Sequence, residues 1–451
     1  MAPPVAPGRV HPIANQALAA AIAAAGWTHA EVACAIRRVA AENRISLSYD
    51  ASTVGHWLTG TTPRPEGVCA AVEAFRRRLS SSELTAADLG WPVPVTAAAG
   101  DDPWKGDPVA RLTALGEDDM NRRTALSAGL YSLAALAVPA AAQTVPRPGP
   151  AAARAGSGDV ERIREMTRRL ADADDLYGGG HARAAVAAYF VGDVAPLLRG
   201  STGAARPDLF RAAAELAYLA AWMAADGGAA GLAQRYYVQA IRLGDEASDP
   251  LVRSTALRSM AVQAVELGHA AQGLALADAA AAGLRRGCPA RTRAWITGMQ
   301  AEANAATGNH RQALDQLRVA EQNLERADSL PQSHWTGNYR RESHQHQAGL
   351  TLSALGDLPG AEEHFAASLG SRRTTERRSR ALIGTRLAHV QARRGEPEAS
   401  AVTVLGLRGD LTVVSSARVT CLLRALRTAW QPHRAEPQVC EADRLAATLL
   451  R

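Results

Sequence analysis

The chain has 451 residues, more than one ordinary hydrophobic core accommodates, and this length predicts two or three domains. Hydrophobic residues make up 47% of the sequence and charged residues 21%, which is the composition of a soluble rather than a membrane-embedded protein. Aromatic residues are only 4% and alanine is abundant, which favours closely packed helices. The net charge of +6 permits a nucleic-acid partner without requiring one.

Five cysteines are scattered through the chain and no two have CxxC spacing, which argues against a zinc ribbon, a thioredoxin-type redox site and a disulfide framework. We expect buried, reduced thiols in a cytosolic protein. The motifs GxSxG, HExxH and the Walker loop do not occur either. In "ESHQH", Glu342 and His346 share a helical face but His344 points away, which leaves a metal site incomplete. The sequence therefore predicts no catalytic site, no metal and no cofactor.

The first predicted helix begins near Ile13, where apolar residues recur at helical spacing, and it ends at Gly26. The second lies in "GWTHAEVACAIRRVA", where Thr28 is a natural N-cap and Glu31, three residues later, completes a capping box. Val32, Ala33 and Ile36 give this helix an apolar face.

A third, short helix is predicted in "YDASTVGHWLTGTTPRP", with Asp50 or Ser52 as its N-cap and Gly60 just past its end. Two prolines then lead into a fourth helix from Gly67 to Leu79. We expect the following arginines, 76–78, to form a solvated face. Four or five short helices within residues 1–90 predict a compact helical domain.

The stretches "THAEVA" and "STVGHWLTGTTPRP" resemble the helix-turn-helix of the phage-repressor (Xre-like) superfamily. The resemblance implies that Ser52, His56 and the methyl group of Ala51 contact base edges, and that Thr28 and His29 meet phosphate. The intervening "CAIRRVAAENRISLSY" is longer than in a minimal motif and predicts an extended second helix and a longer loop. The predicted DNA-contacting residues are Thr28, His29, Arg37, Arg38, Ala51, Ser52, Thr53, His56 and Arg64.

Charge supports this interpretation mildly, because residues 1–80 hold eight arginines and five acidic residues, a net charge of +3. Two interpretations stay open: a DNA-binding domain, or a helix-turn-helix relic that serves as a protein-interaction module.

Residues 91–158 are predicted to be a linker, with proline-, glycine- and alanine-rich stretches on both sides of "MNRRTALSAGLYSLAALAVPAAA", residues 120–142. This segment resembles a twin-arginine export signal, but it follows the predicted N-terminal domain in the sequence, whereas such a signal is recognised at a free N-terminus. The amino-terminal "MAPPVAPGRVHP" lacks the apolar core of a signal peptide. As a membrane span it is marginal. We expect a cytoplasmic protein in which Leu126, Leu130, Leu133 and Leu136 line a helix that docks onto the C-terminal domain. A signal anchor is the alternative.

From residue 159 to 451 the sequence repeats itself: an apolar helix ends near a glycine, and an alanine-rich helix follows. The glycines at 228, 268, 308, 356 and 395 recur at intervals of 40, 40, 48 and 39 residues. A glycine is required there if the residue after a helix adopts a left-handed conformation. This pattern looks like tetratricopeptide (TPR) architecture and predicts five or six helix pairs stacked as a solenoid.

A solenoid offers a concave surface to a peptide, a protein or a small ligand, although core packing explains aromatic residues equally well. The basic "SRRTTERRSR" around Arg372 and Arg378 is predicted to meet an acidic partner or a DNA backbone, or to be a solvated helix start. "DLYGGGH" predicts an inter-helix turn. The candidate lining residues are Tyr218, Trp222, Tyr236, Tyr237, Trp295, Trp335 and Tyr339.

The whole chain resembles actinobacterial regulators that join an Xre-like helix-turn-helix to a TPR domain, including the late "SSARV" stretch at 415–419. This resemblance implies an all-α fold and a DNA-binding transcriptional regulator of secondary metabolism, antibiotic biosynthesis or development. Such a protein would bind a two-fold operator in double-stranded DNA as a homodimer and sense an effector through its solenoid. The rival hypothesis is an interaction scaffold that sequesters a partner protein.

Overall fold

The computed structural model describes residues 13–92, 102–120, 130–139, 156–327 and 339–450, and all regular secondary structure in these ranges is helical. The predicted all-α class is confirmed for this part of the chain. Two compact units are present. The first comprises Met1–Asp102 and Arg122–Ala137, and the second comprises Pro103–Asn121 and Val138–Arg451.

The first unit contains four helices that follow the predicted pattern. Gly26 ends the first of them in a left-handed conformation with φ of 63°. Thr28 and Glu31 form the predicted capping box at the start of the second helix, which extends over 14 residues. Of the two predicted caps for the third helix, Asp50 is the one used. The helices are α1 Gln16–Ala25, α2 His29–Glu42, α3 Ala51–Leu58 and α4 Pro65–Leu79.

The short helix α3 is held by aromatic packing. The Trp57 ring meets Tyr49 edge-on at 4.9 Å between centroids and Trp91 at 5.7 Å, and Val54 and Leu58 are buried beside it. Such aromatic pairs stabilise a contact beyond the area they bury. The apolar side of α3 is thus fixed to the core of its own unit.

The arginines at 76–78 form only part of the predicted solvated face, because Arg78 is exposed but Arg76 and Arg77 are half-buried. Arg77 donates to both carboxylate oxygens of Glu42, each at 2.8 Å, and to Glu73 at 2.8 Å. Arg76 donates to the Leu84 carbonyl, and Arg78 to the Ala25 carbonyl. Side chains at the end of α4 thus reach neighbouring segments, which a linear charge pattern does not reveal.

Residues 130–139 correct the prediction of an apolar helix that docks onto the C-terminal domain. They contain only a 3₁₀ turn, Ala134–Leu136, and Tyr131 is fully buried. The Tyr131 carbonyl accepts from Arg77 at 2.8 Å, and the Leu133 amide donates to Glu73 at 3.1 Å. Up to Ala137 the segment belongs to the first unit, where it satisfies buried charges. Leu126 lies outside the described residues.

The predicted linker also contains a helix of the second unit, α5 Pro108–Met120. Asp119 on α5 accepts a hydrogen bond from Tyr236 at 3.2 Å and forms an ion pair with Arg183. The backbone before α5 accepts from Gln239. Residues 103–120 are therefore part of a packed domain rather than a spacer.

The second unit is a TPR-like stack of helix pairs, as predicted: α9 packs on α10, α11 on α12, α13 on α14, α15 on α16 and α17 on α18, and each pair packs on the next. Alanines fill the interface of the first pair. The helices are α6 Ser157–Tyr177, α7 Gly179–Tyr189, α8 Ala195–Gly200, α9 Arg206–Asp226, α10 Ala230–Glu246, α11 Pro250–Glu266, α12 Ala270–Ala282, α13 Ala290–Ala306, α14 His310–Glu325, α15 Arg341–Leu355, α16 Leu358–Ser371, α17 Arg377–Arg393, α18 Pro397–Gly406, α19 Arg408–Leu411, α20 Ala417–Ala429 and α21 Pro437–Leu449.

The recurring glycines have the predicted conformation. Each of the five lies just after the first helix of a pair and has a positive φ, between 77° and 87°. A side chain other than glycine is strained in this conformation. The repeat that is visible in the sequence is therefore a repeat of one turn.

The helix α6 closes the stack, because it packs against both α9 and α17. The predicted turn in "DLYGGGH" joins α6 to α7, where the Ser415 amide donates to the Tyr177 carbonyl at 2.8 Å. Asp226 at the end of α9 accepts from the Gly179 amide at 3.1 Å and from the Ser416 hydroxyl at 2.7 Å. The "SSARV" stretch thus ties the last repeats to the first helices of this unit.

The cysteines are unpaired but not buried, which corrects that prediction: Cys34 and Cys421 are exposed, and the other three are half-buried. No single helix within the described ranges is long and apolar enough to span a membrane. The pair α1 and α2 meets the length and composition criteria together, with a bend of 87°.

Candidate functional site

The exposed side of α3 is the first candidate surface. Ala51, Ser52 and His56 are exposed, whereas Val54 and Trp57 on the opposite side are buried. An eight-residue helix with this division presents a small polar surface on a fixed support. These are the side chains that the sequence assigned to base edges.

The polar groups that begin α2 and α3 are already engaged. The Asp50 carboxylate accepts from the Thr53 amide and from the Thr53 hydroxyl, each at 2.8 Å, and these hydrogen bonds lower the pKa of Asp50. At α2, Glu31 accepts from the Thr28 amide at 2.7 Å and from its hydroxyl at 2.8 Å. A carboxylate therefore lies at each helix start. A phosphate that contacts Thr28 must displace or adjoin Glu31.

The remaining predicted DNA contacts lie on the surface of the first unit. His29, Arg37 and Arg38 are exposed on α2, and Arg64 is exposed at the residue before α4. All nine predicted residues belong to this unit, and Thr53 alone is half-buried, because it serves as a cap.

The second candidate site is a cavity of about 280 Å³ in the second unit. It is lined by α6, by α20 and by the first helix of each pair, namely α9, α11, α13, α15 and α17. The stacking of the pairs and their closure by α6 thus create one internal space.

Four of the aromatic residues predicted for the concave surface line this cavity: Tyr218, Trp222, Trp295 and Tyr339. Tyr236 does not, because it is 2% exposed and its hydroxyl is directed at Asp119 on α5. Tyr237 is also buried and lies outside the lining. Trp335 lies outside the described residues.

The basic stretch "SRRTTERRSR" is directed partly inward, which corrects in part the expectation of an external or solvated cluster. Arg372 and Arg378 line the cavity, whereas Arg373 is exposed. Arg378 forms ion pairs with Asp174 at 3.2 Å and Asp175 at 2.8 Å. Arg372 pairs with Glu376 at 3.2 Å, and Arg380 outside the cavity pairs with Asp410. These residues secure the closure of the stack, because α17 is the element that meets α6.

Three further arginines enter the cavity with fewer acidic partners. Arg386 and Arg418 share one carboxylate, Glu266, each at 2.9 Å. Arg258 lies over the Trp295 ring, with its guanidinium carbon 4.5 Å from the ring centroid, and forms no ion pair with any residue that the structure describes. Its side chain is buried and its Nε atom has no hydrogen-bond acceptor.

Burial acts on two acidic groups of the cavity. It raises the pKa of Asp174 to about 6, although Arg378 opposes the shift. Burial also raises the pKa of Glu302, which accepts a hydrogen bond from Gln347 at 3.2 Å. Gln347 in turn accepts from the Tyr339 hydroxyl at 2.9 Å. Hydrogen bonds thus connect the Glu302 carboxyl to Tyr339.

His346 is a neutral acceptor in the cavity. Its Nε2 atom accepts from Arg386, and burial, followed by the charges of four arginines, holds its pKa well below the usual 6.5. The His344 ring lies apart from His346, with its Nε2 atom 3.3 Å from the Leu317 carbonyl oxygen.

We expect the His346→Gln variant to lose less stability at acidic pH than the unaltered protein. Because the folded pKa is depressed, the unfolded chain binds the proton first, and the unfolding free energy falls as pH drops below 6.5. His346 contributes to that fall between pH 6.5 and its lower folded pKa. Glutamine keeps an acceptor for Arg386 but cannot titrate. Chemical unfolding at pH 7.5 and 5.5 measures the unfolding free energy, which should fall less in His346→Gln than in the unaltered protein. An equal fall in both proteins would contradict the prediction.

Comparisons with known proteins concern each unit separately. The family described as the SP15 N-terminal domain matches residues 18–92. No curated protein matches the chain. Two solved structures are similar to part of this chain. They are the "nearly identical TPR-like repeats" of a putative kinesin light chain from Podosopora anserina and a point variant of the same repeats. Each shows 18% identity and a TM-score of 0.33. Each covers 44% of this chain and 95% of its own. Because this TM-score is low, the TPR-like fold is assigned from the helix pairs of the chain and not from its similarity to these structures.

Sequence reasoning missed most of the charged residues of the cavity. The signal was present as polar residues at helical spacing in otherwise apolar first helices: Arg258 and Glu266 on α11, and Arg378 and Arg386 on α17. Residues four or eight apart share one face of a helix. The missed lining residues are Asp174, Arg258, Glu266, Glu302, His346, Gln347, Arg386 and Arg418.

Proposed function

We propose that this chain is a transcriptional regulator that binds double-stranded DNA through its first unit and senses an effector through its second. The exposed face of α3 would enter the major groove, with Ser52 and His56 at base edges and the Ala51 methyl near a thymine. Arg37, Arg38 and Arg64 would contact phosphates. The protein would act in the cytoplasm, where DNA is, and by binding rather than by catalysis.

The observation that carries this proposal is the division of α3 into an exposed polar side and a side fixed by Trp57. A helix that reads bases needs both, because its side chains must reach the groove while its orientation stays constant. The carboxylates of Glu31 and Asp50 at the helix starts oppose nearby phosphates. Affinity must therefore come from the arginines rather than from the helix N-termini.

A homodimer is part of the proposal, because one helix of this length contacts too few base pairs for a selective site. The second unit would supply the dimer contact and the effector site. An effector controls such a regulator only if it binds the DNA-competent and incompetent arrangements with different affinity. The resemblance to actinobacterial regulators adds secondary metabolism, antibiotic biosynthesis or development as the controlled process.

Selection of genomic fragments by the full-length protein tests the proposal, followed by titration of an enriched fragment and a scrambled duplex at moderate salt. We expect Ser52→Ala/His56→Ala to weaken binding to the enriched fragment by at least about tenfold, since each lost base contact costs about 1–3 kcal/mol. Binding to the scrambled duplex should change little. Arg37→Ala/Arg38→Ala should weaken binding to both and lower the salt dependence.

The matched control is Ser371→Ala/His433→Ala, which removes the same two side-chain types from exposed positions in the second unit. This control should bind the enriched fragment like the unaltered protein. Equal affinity for enriched and scrambled DNA would reject the proposal.

The rival function, an interaction scaffold, is favoured by the TPR-like unit, since helical repeats of this kind generally bind proteins. A chain that selects no DNA at moderate salt yet retains a specific protein partner would support the scaffold. A membrane-anchored form of it depends on residues 120–142, most of which lie outside the described part of the chain.

A further inference from the structure

The cavity of the second unit contains a buried cation with no direct ion-pair partner among the described residues. Arg258 is 8% exposed, lines the cavity, and has an Nε atom without a hydrogen-bond acceptor. Burying a guanidinium without an ion pair is costly, because the charge loses its hydration.

The neighbouring arginines are also sparsely paired. Arg386 and Arg418 together have one carboxylate, Glu266, as their ion-pair partner. The other nearby acid, Glu302, accepts a hydrogen bond from Gln347 at 3.2 Å. On this side of the cavity, three guanidinium groups face the carboxylates of Glu266 and Glu302, and Arg258 forms an ion pair with neither. A bound carboxylate would give Arg258 a direct partner.

His346 lies among the same arginines. After burial, the charges that lower its pKa belong to Arg386, Arg372, Arg258 and Arg418. These four side chains come from three different helices and from the residue that follows α16. Each repels a proton on one imidazole, so their charges converge on a common space.

Beside the ion pairs of Arg378 with Asp174 and Asp175, the lining has aromatic and apolar side chains. Trp222 and Trp295 stand on α9 and α13, and Tyr218, Val262 and Leu350 add apolar walls. The volume of about 280 Å³ is close to the lower limit for small-molecule pockets and too small for a folded partner. The space suits a compact ligand with a flat apolar body.

We propose that this cavity binds a small organic acid, with its single carboxylate on Arg258 and its planar or alicyclic body against Trp295 and Trp222. The guanidinium fork matches a carboxylate with two parallel hydrogen bonds. One guanidinium without an ion-pair partner calls for one carboxylate. The inference specifies the effector class of the proposed regulator, yet it does not require that the protein bind DNA.

Calorimetric titration of the full-length protein with phenylacetate, 1-naphthylacetate and cyclohexylacetate tests the inference. The corresponding amides have the same bodies without charge, and inorganic phosphate supplies charge without a body. At least one acid should bind at least about tenfold more tightly than its amide, because a charge-assisted bidentate pair contributes more than a neutral hydrogen bond. Phosphate should bind more weakly than that acid.

Arg258→Met should weaken acid binding by at least about tenfold while leaving the melting temperature unchanged or higher, since the variant removes an unpaired buried charge and keeps an apolar contact to Trp295. Arg258→Lys should retain part of the affinity. The matched control Arg311→Met removes an exposed charge from α14 and should bind like the unaltered protein.

Three results would each overturn the inference: no binding of any acid at millimolar concentration, equal affinity for an acid and its amide, or full affinity in Arg258→Met. Because these titrations contain no DNA, their failure leaves the proposed DNA binding untouched. Failure of DNA selection likewise leaves the acid site in place.

Discussion

Replacement of Gly178 by alanine is expected to lower the unfolding free energy of the second unit by at least about 3 kcal/mol. Gly178 has φ of 85° and ψ of 165°, a combination available almost only to glycine. An added Cβ would also lie 2.4 Å from the Ser415 carbonyl oxygen. Both effects act at the turn where α6 meets the last repeats. Chemical unfolding followed by circular dichroism measures the loss.

Gly268→Ala is the matched control, because Gly268 has the same φ of 85° but no atom within 4 Å of an added Cβ. It carries only the cost of a left-handed residue, about 1 kcal/mol. A difference of about 2 kcal/mol between the two variants would isolate the close approach at Ser415. Equal losses would mean that this contact does not close the stack.

Arg77→Ala should open the first unit. Its guanidinium compensates Glu42 and Glu73, whose side chains are only 7% and 6% exposed, and it also holds the Tyr131 carbonyl. Removing one member of a buried ion pair leaves the partner charged and unsolvated, at a cost of about 3–5 kcal/mol. Hydrogen exchange of peptides from α2 and α4 in the full-length protein should accelerate by roughly a hundredfold.

Arg38→Ala is the control for this prediction, since Arg38 is exposed on α2 and belongs to the proposed DNA contacts. Exchange of the same peptides should stay as in the unaltered protein, while DNA affinity falls. Unchanged exchange in Arg77→Ala would contradict the structural role of the ion pairs.

Local structure was predictable where the signal is local. The caps at Thr28 and Asp50 and the five recurring glycines followed from side chains within one helix turn of the feature. Capping needs only neighbouring residues, so a linear sequence contains the whole cause. The same holds for the period of the helix pairs.

The errors came from contacts between distant segments. Nothing adjacent to Arg77 indicates that Glu42, 35 positions earlier, is its partner. The apolar segment after Met120 was assigned to the wrong domain. Its hydrophobicity indicates that residues such as Tyr131 are buried, but it does not indicate which domain buries them. Residues 103–120 were treated as linker for the same reason.

The cavity was half predictable. Aromatic residues suggested a lining, and four of the seven predicted ones lie there. The charged lining depends on the closure of the stack by α6, which brings Asp174 to Arg378 across 204 positions of sequence. The repeat pattern of the sequence does not indicate this closure, because the two residues that form it are so far apart.

DNA occupancy across the genome, measured with the full-length protein and with Ser52→Ala/His56→Ala at matched expression, tests the proposed regulator most directly. The unaltered protein should occupy discrete sites that share a two-fold sequence, and the double variant should lose them. Absence of sequence-selective sites, or sites that the double variant still occupies, would contradict DNA reading by α3.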